Sequence, residues 1–570
     1  MCGIFFSLSR HGFVTPDSRT EQLLKNRGPD SLGTEHILIS NDGDTPSSKL
    51  HATFISTVLS LRGTALTEQP LKDADTGSIL CWNGEAWTIA GQPVSGSDSR
   101  AVYDALFIAR GTDANISRLS AIEATVQVLS SIRGPYAFVF YDARSRCIFY
   151  GRDCLGRRSL LRKTNDALVL SSVCDNATGE SWAEIEADGI YLLDLNETPS
   201  SLPSASHIPH RRRGDATANG LHLDVPFPEM NRCAFVDTPR LPFEQKTAVH
   251  QIGHSLRKSL VLRVQHVREA VDLSSPHQSD LEARIVVLFS GGLDCTVLAR
   301  LVHDLIPVKQ SVDLLNVAFE NPRVHSNLGP NESPYELCPD RITGRTSHAE
   351  LSKVCPDRTW RFVEINVPYS DTVAKRSTVM ALMHPHNTEM DLSISYALYF
   401  ASKAAGVIRD SKGVSTPYTS AAHVLLSGLG ADELFGGYQR HAVAFARKGY
   451  PGLLDELELD FNRLGKRNLG RDDRVISDSG KEVRFPYLDE DFIAIALKLP
   501  VFAKCNFGAA QSSASDDPAQ SLEPAKKVLR LLAWELGMKG VAAEKKRAIQ
   551  FGARTAKMET GKTKGTQVLI

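Results

Sequence analysis

The pattern of apolar residues changes part of the way along the chain, and this change constrains the fold more than any other feature. Up to about Asn196, short runs such as CGIFFSLS and YAFVFYDARSRCIFYGRD alternate apolar and polar residues between glycine, asparagine and aspartate turns. Such alternation is typical of antiparallel sheets with one buried face. After about Phe243, EARIVVLFSGGLDCTVLARLVHDL indicates a buried strand, a glycine turn and an amphipathic helix. The sequence therefore predicts an α+β domain built on an antiparallel β-sandwich, followed by an α/β domain with a parallel sheet.

The residues between these two patterns have too little apolar surface to fold alone. The stretch ETPSSLPSASHIPHRRRGDATANGL is rich in serine, proline, glycine and charge. We therefore predict a first domain over 1–196, a flexible linker over 197–242 and a second domain over 243–570. Two tracts of the second domain, near 323–336 and 506–523, are predicted to be disordered surface insertions.

The charge balance argues against nucleic-acid and membrane partners. The 65 lysine and arginine residues nearly cancel the 66 acidic residues and are interspersed with them, so no broad basic surface is expected. No apolar run approaches the roughly eighteen residues that span a bilayer, and the start lacks the pattern of a signal peptide. The ten cysteines lack the short spacings of zinc sites and disulfide frameworks. We expect a cytoplasmic protein that acts on small molecules.

The cysteine directly after the initiator methionine is the first candidate catalytic residue. If Met1 is removed, Cys2 carries a thiol and a free α-amine on one residue. An α-amine has an unperturbed pKa of about 8, so it can take the thiol proton without a histidine partner. The alternative is an incidental cysteine in a first strand, and the motifs that follow must decide between the two.

Five further motifs follow Cys2 in order. They are RGPD at 27–30, LSLRG at 59–63, WNGE at 82–85, SGSD at 95–98 and GRDCLGRRSL from residue 151. This series resembles the class II glutamine amidotransferases, whose domain opens with MCGI and carries RGPD, NGE, SD and RDxxGxxPL in the same order. The resemblance covers essentially the whole first domain and implies a fold of the Ntn-hydrolase type. One departure is Ser159, which stands where the family's last motif has proline.

The resemblance implies a role for each matching residue in glutamine hydrolysis. Alongside the cysteine nucleophile, the Asn83 side-chain amide and the Gly84 backbone N–H would donate to the tetrahedral oxyanion. Arg62 would hold the glutamine α-carboxylate in a bidentate pair and Asp98 its α-ammonium, with Glu85 also in the glutamine site. Taken singly, Arg62 and Asp98 could equally form surface salt bridges.

A glycine turn marks a second candidate site at the start of the α/β domain. In IVVLFSGGLDCT, the SGG turn lies between a buried strand and a helix, where free backbone N–H groups and the helix dipole attract phosphate. The turn lacks the GK[ST] of a Walker A loop and resembles the SGGxDS pyrophosphate loop of enzymes that adenylate substrates with ATP. Ser290, Gly291, Gly292 and Asp294 match that motif, whereas Cys295 replaces its final serine.

Two later segments resemble asparagine synthetases. HVLLSGLGADELFGGYQRH at 423–441 is similar to their SGEGADELFGGY segment, and KEVRFPYLDEDF at 481–492 to their RxPFLD. The resemblance implies an ATP-pyrophosphatase domain of the adenine nucleotide alpha hydrolase type. It assigns Asp294 and Asp432 as Mg²⁺ ligands, and Ser427, Gly428 and Val317 to the ATP site.

Basic residues near the carboxyl terminus complete the implied ATP site. Lys527 and Arg530 in KKVLR match the family's KxxLR, and Lys546 in EKKRAIQFG falls near the position of a lysine that meets the transferring phosphate. GLGADE together with KRAIQFG and a serine-rich insertion resembles the divergent asparagine synthetase domain-containing proteins.

The resemblance implies a glutamine-dependent asparagine synthetase that uses ATP and Mg²⁺. Its small-molecule partners would be glutamine, aspartate and ATP, and a homodimer is a further expectation. One departure bears on this activity, because Leu429 stands where the family has the glutamate of SGEG. Two alternatives therefore stay open, namely an amidotransferase that acts on another acid and a nucleotide-binding scaffold with a decayed synthetase site.

Overall fold

The structure is a computed structural model that describes most of the chain. The described residues are 2–40, 49–109, 117–175, 181–196, 202–212, 220–234, 241–265, 267, 282–329, 332–410, 412–509, 517–558 and 565–569.

Twenty-three strands are assigned within the described ranges. They are β1 (Gly3–Ser9), β2 (Ser31–Ile39), β3 (Leu50–Val58), β4 (Leu71–Lys72), β5 (Ile79–Gly84), β6 (Thr88–Ile89), β7 (Gln92–Pro93), β8 (Ile132–Arg133), β9 (Tyr136–Asp142), β10 (Cys147–Arg152), β11 (Leu161–Thr164), β12 (Ala167–Ser171), β13 (Ala183–Glu184), β14 (Gly189–Asp194), β15 (Ala205–Arg211), β16 (Leu223–Asp224), β17 (Ile285–Leu288), β18 (Val312–Phe319), β19 (Trp360–Val367), β20 (Ala405–Arg409), β21 (Ser415–Thr419), β22 (Val424–Leu426) and β23 (Glu482–Arg484).

Nineteen α-helices are assigned in the same ranges. They are α1 (Ser18–Arg27), α2 (Asp98–Ala109), α3 (Arg118–Ser131), α4 (Leu241–Val264), α5 (Leu293–Leu305), α6 (Pro339–Val354), α7 (Tyr369–Ala374), α8 (Arg376–Met383), α9 (Glu389–Ser402), α10 (Ala431–Phe435), α11 (Gln439–Asn462), α12 (Leu464–Arg467), α13 (Leu469–Ser477), α14 (Glu490–Lys498), α15 (Val501–Lys504), α16 (Pro518–Ser521), α17 (Lys527–Glu535), α18 (Lys539–Ala543) and α19 (Ile549–Gly552).

The chain divides into two compact units. The first comprises Met1–Val225, Thr378–Asn387 and Leu464–Lys481, and the second comprises Pro226–Ser377, Thr388–Arg463 and Glu482–Ile570. The first unit therefore contains α12 and α13, although these helices come late in the sequence.

Two mainly antiparallel sheets form the framework of the first unit. Their strand orders are β13-β11-β12-β1-β3-β2 and β16-β15-β14-β10-β9-β5-β4. One buried cluster draws on both sheets, with Phe6 and Phe54 from one and Val139 from the other. Phe138, which precedes Val139 on β9 and points to the opposite face of the sheet, belongs to a second buried cluster that includes Val126 of α3. Because both faces of β9 are covered, all seven of its residues are buried.

The second unit contains one seven-stranded sheet in the order β21-β20-β19-β18-β17-β22-β23. Pairing is parallel from β19 through β23 and antiparallel for β20 and β21 at one edge. The strand order changes direction at β17, which lies between β18 and β22. In open α/β sheets, ligands bind beyond the carboxyl ends of the strands at such a switch point. The expected combination of antiparallel and parallel sheets is thus confirmed.

Part of the predicted flexible linker is ordered. Within 197–242, β15 pairs with β14 and with β16, and Ile208 and Leu223 are buried in the cluster that covers the second sheet. These two apolar residues stand among polar neighbours, so composition alone misjudged the segment. Residues 197–201, 213–219 and 235–240 of the predicted linker lie outside the described residues.

The predicted insertions are also partly described. Turns occupy much of 323–336, apart from residues 330–331, which lie outside the described residues. Of the tract 506–523, residues 510–516 lie outside the described residues, and α16 forms after them. No helix in the described ranges combines a bilayer-spanning length with sufficient hydropathy.

Candidate functional site

Cys2 lies immediately before β1 in the first unit, where its backbone is held by side chains from distant parts of the sequence. Its backbone nitrogen donates to Asn83 Oδ1 at 3.2 Å, and its carbonyl oxygen accepts from Arg27 Nε at 3.3 Å. The Gln69 amide nitrogen lies 3.9 Å from the Cys2 sulfur. The candidate nucleophile is therefore buried and fixed in place.

Asn83, near the end of β5, is fully buried, and only one of its two side-chain amide groups is hydrogen-bonded to a described residue. Its oxygen accepts from the Cys2 nitrogen, whereas its Nδ2 has no hydrogen-bond partner in the described part of the chain. A buried amide donor without a partner is costly. The arrangement suits a donor that waits for a substrate oxygen beside the thiol.

Gly84 follows Asn83 at the end of the strand and has no space for a side chain. A Cβ at this position would lie 2.5 Å from the carbonyl oxygen of Pro135 and 2.7 Å from the Tyr136 Cβ. The close approach explains why glycine follows the asparagine here.

The candidate glutamine-binding residues Arg62, Glu85 and Asp98 meet just beyond β5. Arg62 Nη1 donates to Glu85 Oε2 at 3.3 Å and to the Ala86 carbonyl at 3.1 Å. Asp98 Oδ2 accepts from Trp82 Nε1 at 2.8 Å and from the Ala86 backbone N–H at 3.1 Å. These contacts hold a guanidinium and a carboxylate in partly buried positions, which are the two charges needed for the α-carboxylate and α-ammonium of an amino acid.

Sequence reasoning missed Gln69. Its amide oxygen accepts from the Trp82 backbone N–H at 2.8 Å, which aims its nitrogen at Cys2. Gln69 stands in TEQP, which has no distinguishing pattern, so the sequence carried no signal for it.

In the second unit, the SGG turn follows β17 and leads into α5. Gly291 has φ +81°, and a Cβ there would lie 2.5 Å from the Gly344 backbone. Gly292 is the N-cap of α5, and Asp294 stands in its first turn. The turn is thus packed tightly and places a helix N-terminus at the switch point of the sheet.

The loop after β22 meets the SGG turn. Ser427 and Gly428 follow β22, which pairs directly with β17. A Cβ at Gly428 would lie 2.9 Å from the Asp294 Cβ, so this loop contacts the first turn of α5, which directly follows the SGG turn. Val317 is a buried residue of β18, on the other side of β17.

Two carboxylates and two lysines form a charged cluster at this point. Lys526 Nζ lies 2.5 Å from Asp294 Oδ2 and 2.7 Å from Asp432 Oδ1. Lys546 forms an ion pair with Asp432 and lies over the Tyr438 ring, 4.5 Å from its centroid. Oppositely charged side chains that are in contact and buried stabilise one another's charged forms.

The pKa values of Asp432 and Lys526 reflect this pairing, whereas burial outweighs it at Lys546 and lowers the pKa of that lysine. Burial acts to raise the pKa of Asp432, but the ammonium groups of Lys526 and Lys546 outweigh it and hold the pKa below its ordinary value. Burial acts to lower the pKa of Lys526, but the two aspartates raise it overall. Glu433, next to Asp432, differs, since burial and the Asp432 charge raise its pKa to about 7.

Asp294 and Asp432 suit a magnesium ion better than a metal whose ligands all come from protein side chains. In the described ranges, no group of three or more histidine, cysteine, aspartate or glutamate side chains could hold a metal. Asp294 Oδ1 is buried and makes no hydrogen bond to any described residue. Mg²⁺ usually takes one or two protein carboxylates and completes its shell with waters and substrate phosphates. Asp294 and Asp432 supply a donor set of this kind.

The lysine motif predicted from KKVLR needs a correction. Lys527 donates to the Leu522 and Pro518 carbonyls, and Arg530 donates to the Ala542 and Glu544 carbonyls, so both support the backbone. The residue in the charged cluster is Lys526, which has φ +56° just before α17. Counted back from Leu529 and Arg530, the KxxLR spacing also falls on Lys526, so the prediction of Lys527 was wrong by one residue.

Leu429 brings no charge to the site. Its backbone N–H donates to Ser427 Oγ at 3.3 Å, and the residue is half-buried. The loop therefore keeps a compact turn at this position while lacking the carboxylate that the resemblance leads one to expect.

Comparisons with known proteins agree with this division of sites. Residues 1–194 match the glutamine amidotransferase domain family, and residues 393–561 match the asparagine synthase family. The chain is 32% identical to asparagine synthetase domain-containing protein 1 of Bos taurus, over 99% of this chain and 97% of the bovine protein. It is 33% identical to asparagine synthetase domain-containing protein YML096W of Saccharomyces cerevisiae, over 90% of this chain and 86% of the yeast protein.

A prokaryotic relative is similar over a shorter range. The putative asparagine synthetase (glutamine-hydrolyzing) 1 of Methanocaldococcus jannaschii is 32% identical over 75% of this chain and 71% of its own length. With matches across nearly its whole length and a motif order that agrees with them, the chain belongs to the family of asparagine synthetase domain-containing proteins.

Proposed function

We propose that the chain is a glutamine-dependent asparagine synthetase with one site in each unit. The observation that carries this proposal is Asn83, whose amide oxygen holds the Cys2 nitrogen while its buried Nδ2 lacks a partner among the described residues. This arrangement supports attack by Cys2 on a carboxamide whose oxygen then accepts the free donor.

The first half-reaction needs no side-chain base. Once Met1 is removed, an α-amine that donates one N–H to Asn83 Oδ1 keeps its lone pair for the Cys2 thiol proton. The thiolate attacks the glutamine amide carbon, the oxyanion accepts from Asn83 and Gly84, and the amine returns the proton to the departing ammonia. Water then hydrolyses the thioester to glutamate, while Arg62 and Asp98 hold the α-carboxylate and α-ammonium.

The second half-reaction takes place at the charged cluster. We propose that the SGG turn and Ser427–Gly428 hold ATP, with Lys526 and Lys546 on its phosphates. Asp294 and Asp432 would hold Mg²⁺, which neutralises phosphate charge when bound. The aspartate β-carboxylate attacks the α-phosphate and releases pyrophosphate, and ammonia then displaces AMP to give asparagine. The two lysines would stabilise the departing pyrophosphate.

Leu429 favours a second candidate function, a synthetase site that binds nucleotide without forming asparagine or that acts on another acid. An apolar side chain at this position cannot exchange protons with the acyl intermediate or with ammonia. The SGG turn and the charged cluster do not depend on this residue.

One experiment distinguishes these candidates. The full-length protein is supplied with amide-¹⁵N glutamine, ATP, Mg²⁺ and aspartate, and the products are analysed by mass spectrometry. Labelled asparagine with AMP and pyrophosphate supports the synthetase. Labelled ammonia and glutamate without asparagine would support the second candidate, a glutaminase whose other site only binds nucleotide or acts on another acid. No reaction at all would overturn the proposal.

A further inference from the structure

Arg27 of the RGPD motif connects the candidate nucleophile to a carboxylate from late in the chain. Its Nε donates to the Cys2 carbonyl at 3.3 Å, and its Nη2 donates to Asp473 Oδ2 at 2.8 Å. A third donor, Nη1, contacts Ser477 Oγ at 2.5 Å. The Arg27 side chain is 1% exposed and that of Asp473 is fully buried, so the pair is shielded from water.

Asp473 gathers further donors from the first unit. Its Oδ2 also accepts from the Ser159 backbone N–H at 3.1 Å, and its Oδ1 lies 3.7 Å from Arg158 Nη1. Both arginine side chains are buried. One buried carboxylate thus lies against two buried guanidinium groups, and loss of its charge would remove a buried partner from Arg27.

Ser159, which replaces the proline of the amidotransferase motif, contacts Asp473 and Arg474 of α13. A proline in its place has no N–H to donate to Asp473. The Ser159 hydroxyl also accepts from Arg474 Nη1 at 2.7 Å, and the same nitrogen donates to Glu184 Oε1 at 2.9 Å. The substitution of serine for proline therefore adds two contacts to α13.

Asp473, Arg474 and Ser477 all stand on α13, which falls within the part of the sequence that matches the asparagine synthase family. The helix nevertheless belongs to the first unit. The segment that carries the synthase-family match thus supplies buried partners to the residue that holds the backbone of Cys2.

We propose that Asp473 is a positioning residue for the Cys2 nucleophile and acts through Arg27. This inference rests on the proposed glutaminase activity and deepens it. Asp473 fixes one edge of the Arg27 guanidinium, so that Nε points at the Cys2 carbonyl and the Cys2 backbone nitrogen stays on Asn83 Oδ1. Glutamine hydrolysis in this chain therefore depends on a helix that the amidotransferase match over residues 1–194 does not include.

The test uses the full-length protein and the variants Arg27→Lys and Asp473→Asn. Lysine keeps the charge beside Asp473 but cannot also reach the Cys2 carbonyl and Ser477 in the planar fork of arginine. Both variants are expected to lower kcat for glutamine hydrolysis by about tenfold to 100-fold with little change in KM, since Arg62 and Asp98 are untouched. Alkylation of Cys2 by a glutamine analogue with a diazoketone group should slow by a similar factor.

Asp472→Asn is the matched control. Asp472 is the preceding residue on α13, is also buried, and pairs with Arg471 at 2.8 Å. Its substitution should leave kcat within about twofold of wild type, whatever it does to thermal stability. Circular dichroism spectra and thermal melts of every variant, compared with wild type, report that the chain is folded.

Each outcome decides the question. Arg27→Lys protein that is folded and hydrolyses glutamine at the wild-type rate would overturn the positioning role, even if Asp473→Asn fails to fold. An equal loss in Asp472→Asn would reduce the role to general stability and also overturn it. If wild-type protein hydrolyses no glutamine and is not alkylated by the analogue, the proposed function itself fails, which is a different result from an active wild type with unaffected variants.

Discussion

Asn83 uses the two ends of one amide for different tasks. Its oxygen fixes the Cys2 nitrogen, and its nitrogen stays without a partner in the described residues despite full burial. A buried donor left unsatisfied destabilises the folded protein by about 1–3 kcal/mol. Such a cost is typical of sites where the missing partner arrives with the substrate.

The first prediction concerns the Asn83 Nδ2 donor. Asn83→Ala is expected to lower kcat for glutamine hydrolysis by about 100-fold to 1,000-fold, because the oxyanion loses one donor. Ammonia-driven asparagine synthesis should be unchanged. Steady-state assays with glutamine and with ammonium chloride measure both quantities, and a parallel loss in the two assays would contradict separate sites.

The second prediction separates two neighbouring lysines. Lys526→Met should abolish aspartate-dependent pyrophosphate release, since Asp294 and Asp432 lose the ammonium that they share. Lys527→Met should retain pyrophosphate release and lower stability, because Lys527 donates to backbone carbonyls. A coupled pyrophosphate assay beside thermal melts of both variants compares them. The reverse pattern would return Lys527 to the site.

The third prediction concerns a buried lysine that is not part of the charged cluster. Lys504 is fully buried, and its Nζ makes no hydrogen bond to a described residue. Burial lowers its pKa to about 8, with a small opposing effect of Cys505. The unfolded chain therefore binds the proton more tightly, and this residue destabilises the fold below about pH 8, an effect that fades as pH rises toward the unfolded pKa.

Lys504→Met is expected to stabilise the protein by roughly 3 kcal/mol at pH 7, and less at pH 10. Urea unfolding at the two pH values measures the difference. The exposed Lys498 provides the control, since Lys498→Met should change little at either pH. A gain that does not depend on pH would show that packing, and not the charge, explains the effect.

At the scale of elements, two loops define the second site. The SGG turn after β17 and the Ser427–Gly428 loop after β22 meet because these strands are neighbours in the sheet. Gly428 permits this approach, since a Cβ there would lie 2.9 Å from the Asp294 Cβ. Gly291 permits a different one, since a Cβ there would lie 2.5 Å from the Gly344 backbone of α6. The Leu429 substitution alters the chemistry that this loop offers without removing the contact between the loops.

The fourth prediction tests that substitution. If the site is impaired only by the missing carboxylate, Leu429→Glu should raise aspartate-dependent pyrophosphate release several-fold, because a proton-handling group is restored. Leu429→Gln is the control, as it has similar size without a titratable group. No response from the glutamate variant would favour another acid substrate or a nucleotide-binding role.

Across the whole chain, the sequence predicted the types of sheet and the candidate site residues that stand in recognisable motifs. It did not predict which distant residues contact them. Asn83, Asp294 and Asp432 stand in ordered motifs, so their neighbourhoods could be expected. The contacts of Gln69 with Cys2 and of Asp473 with Arg27 could not be predicted. These residues are distant from their partners in the sequence and stand in no distinctive pattern. The α12–α13 segment was assigned to the second domain because sequence position is no guide when a late segment packs into an early unit.

An isotope experiment shows whether nitrogen passes from glutamine to asparagine through Cys2. Wild-type protein and Cys2→Ala are each supplied with amide-¹⁵N glutamine, unlabelled ammonium, aspartate, ATP and Mg²⁺, and the asparagine is analysed by mass spectrometry. We expect ¹⁵N-asparagine from the wild type and only unlabelled asparagine, at an undiminished ammonia-driven rate, from Cys2→Ala. Labelled asparagine from Cys2→Ala, or none of any kind from the wild type, would contradict this transfer.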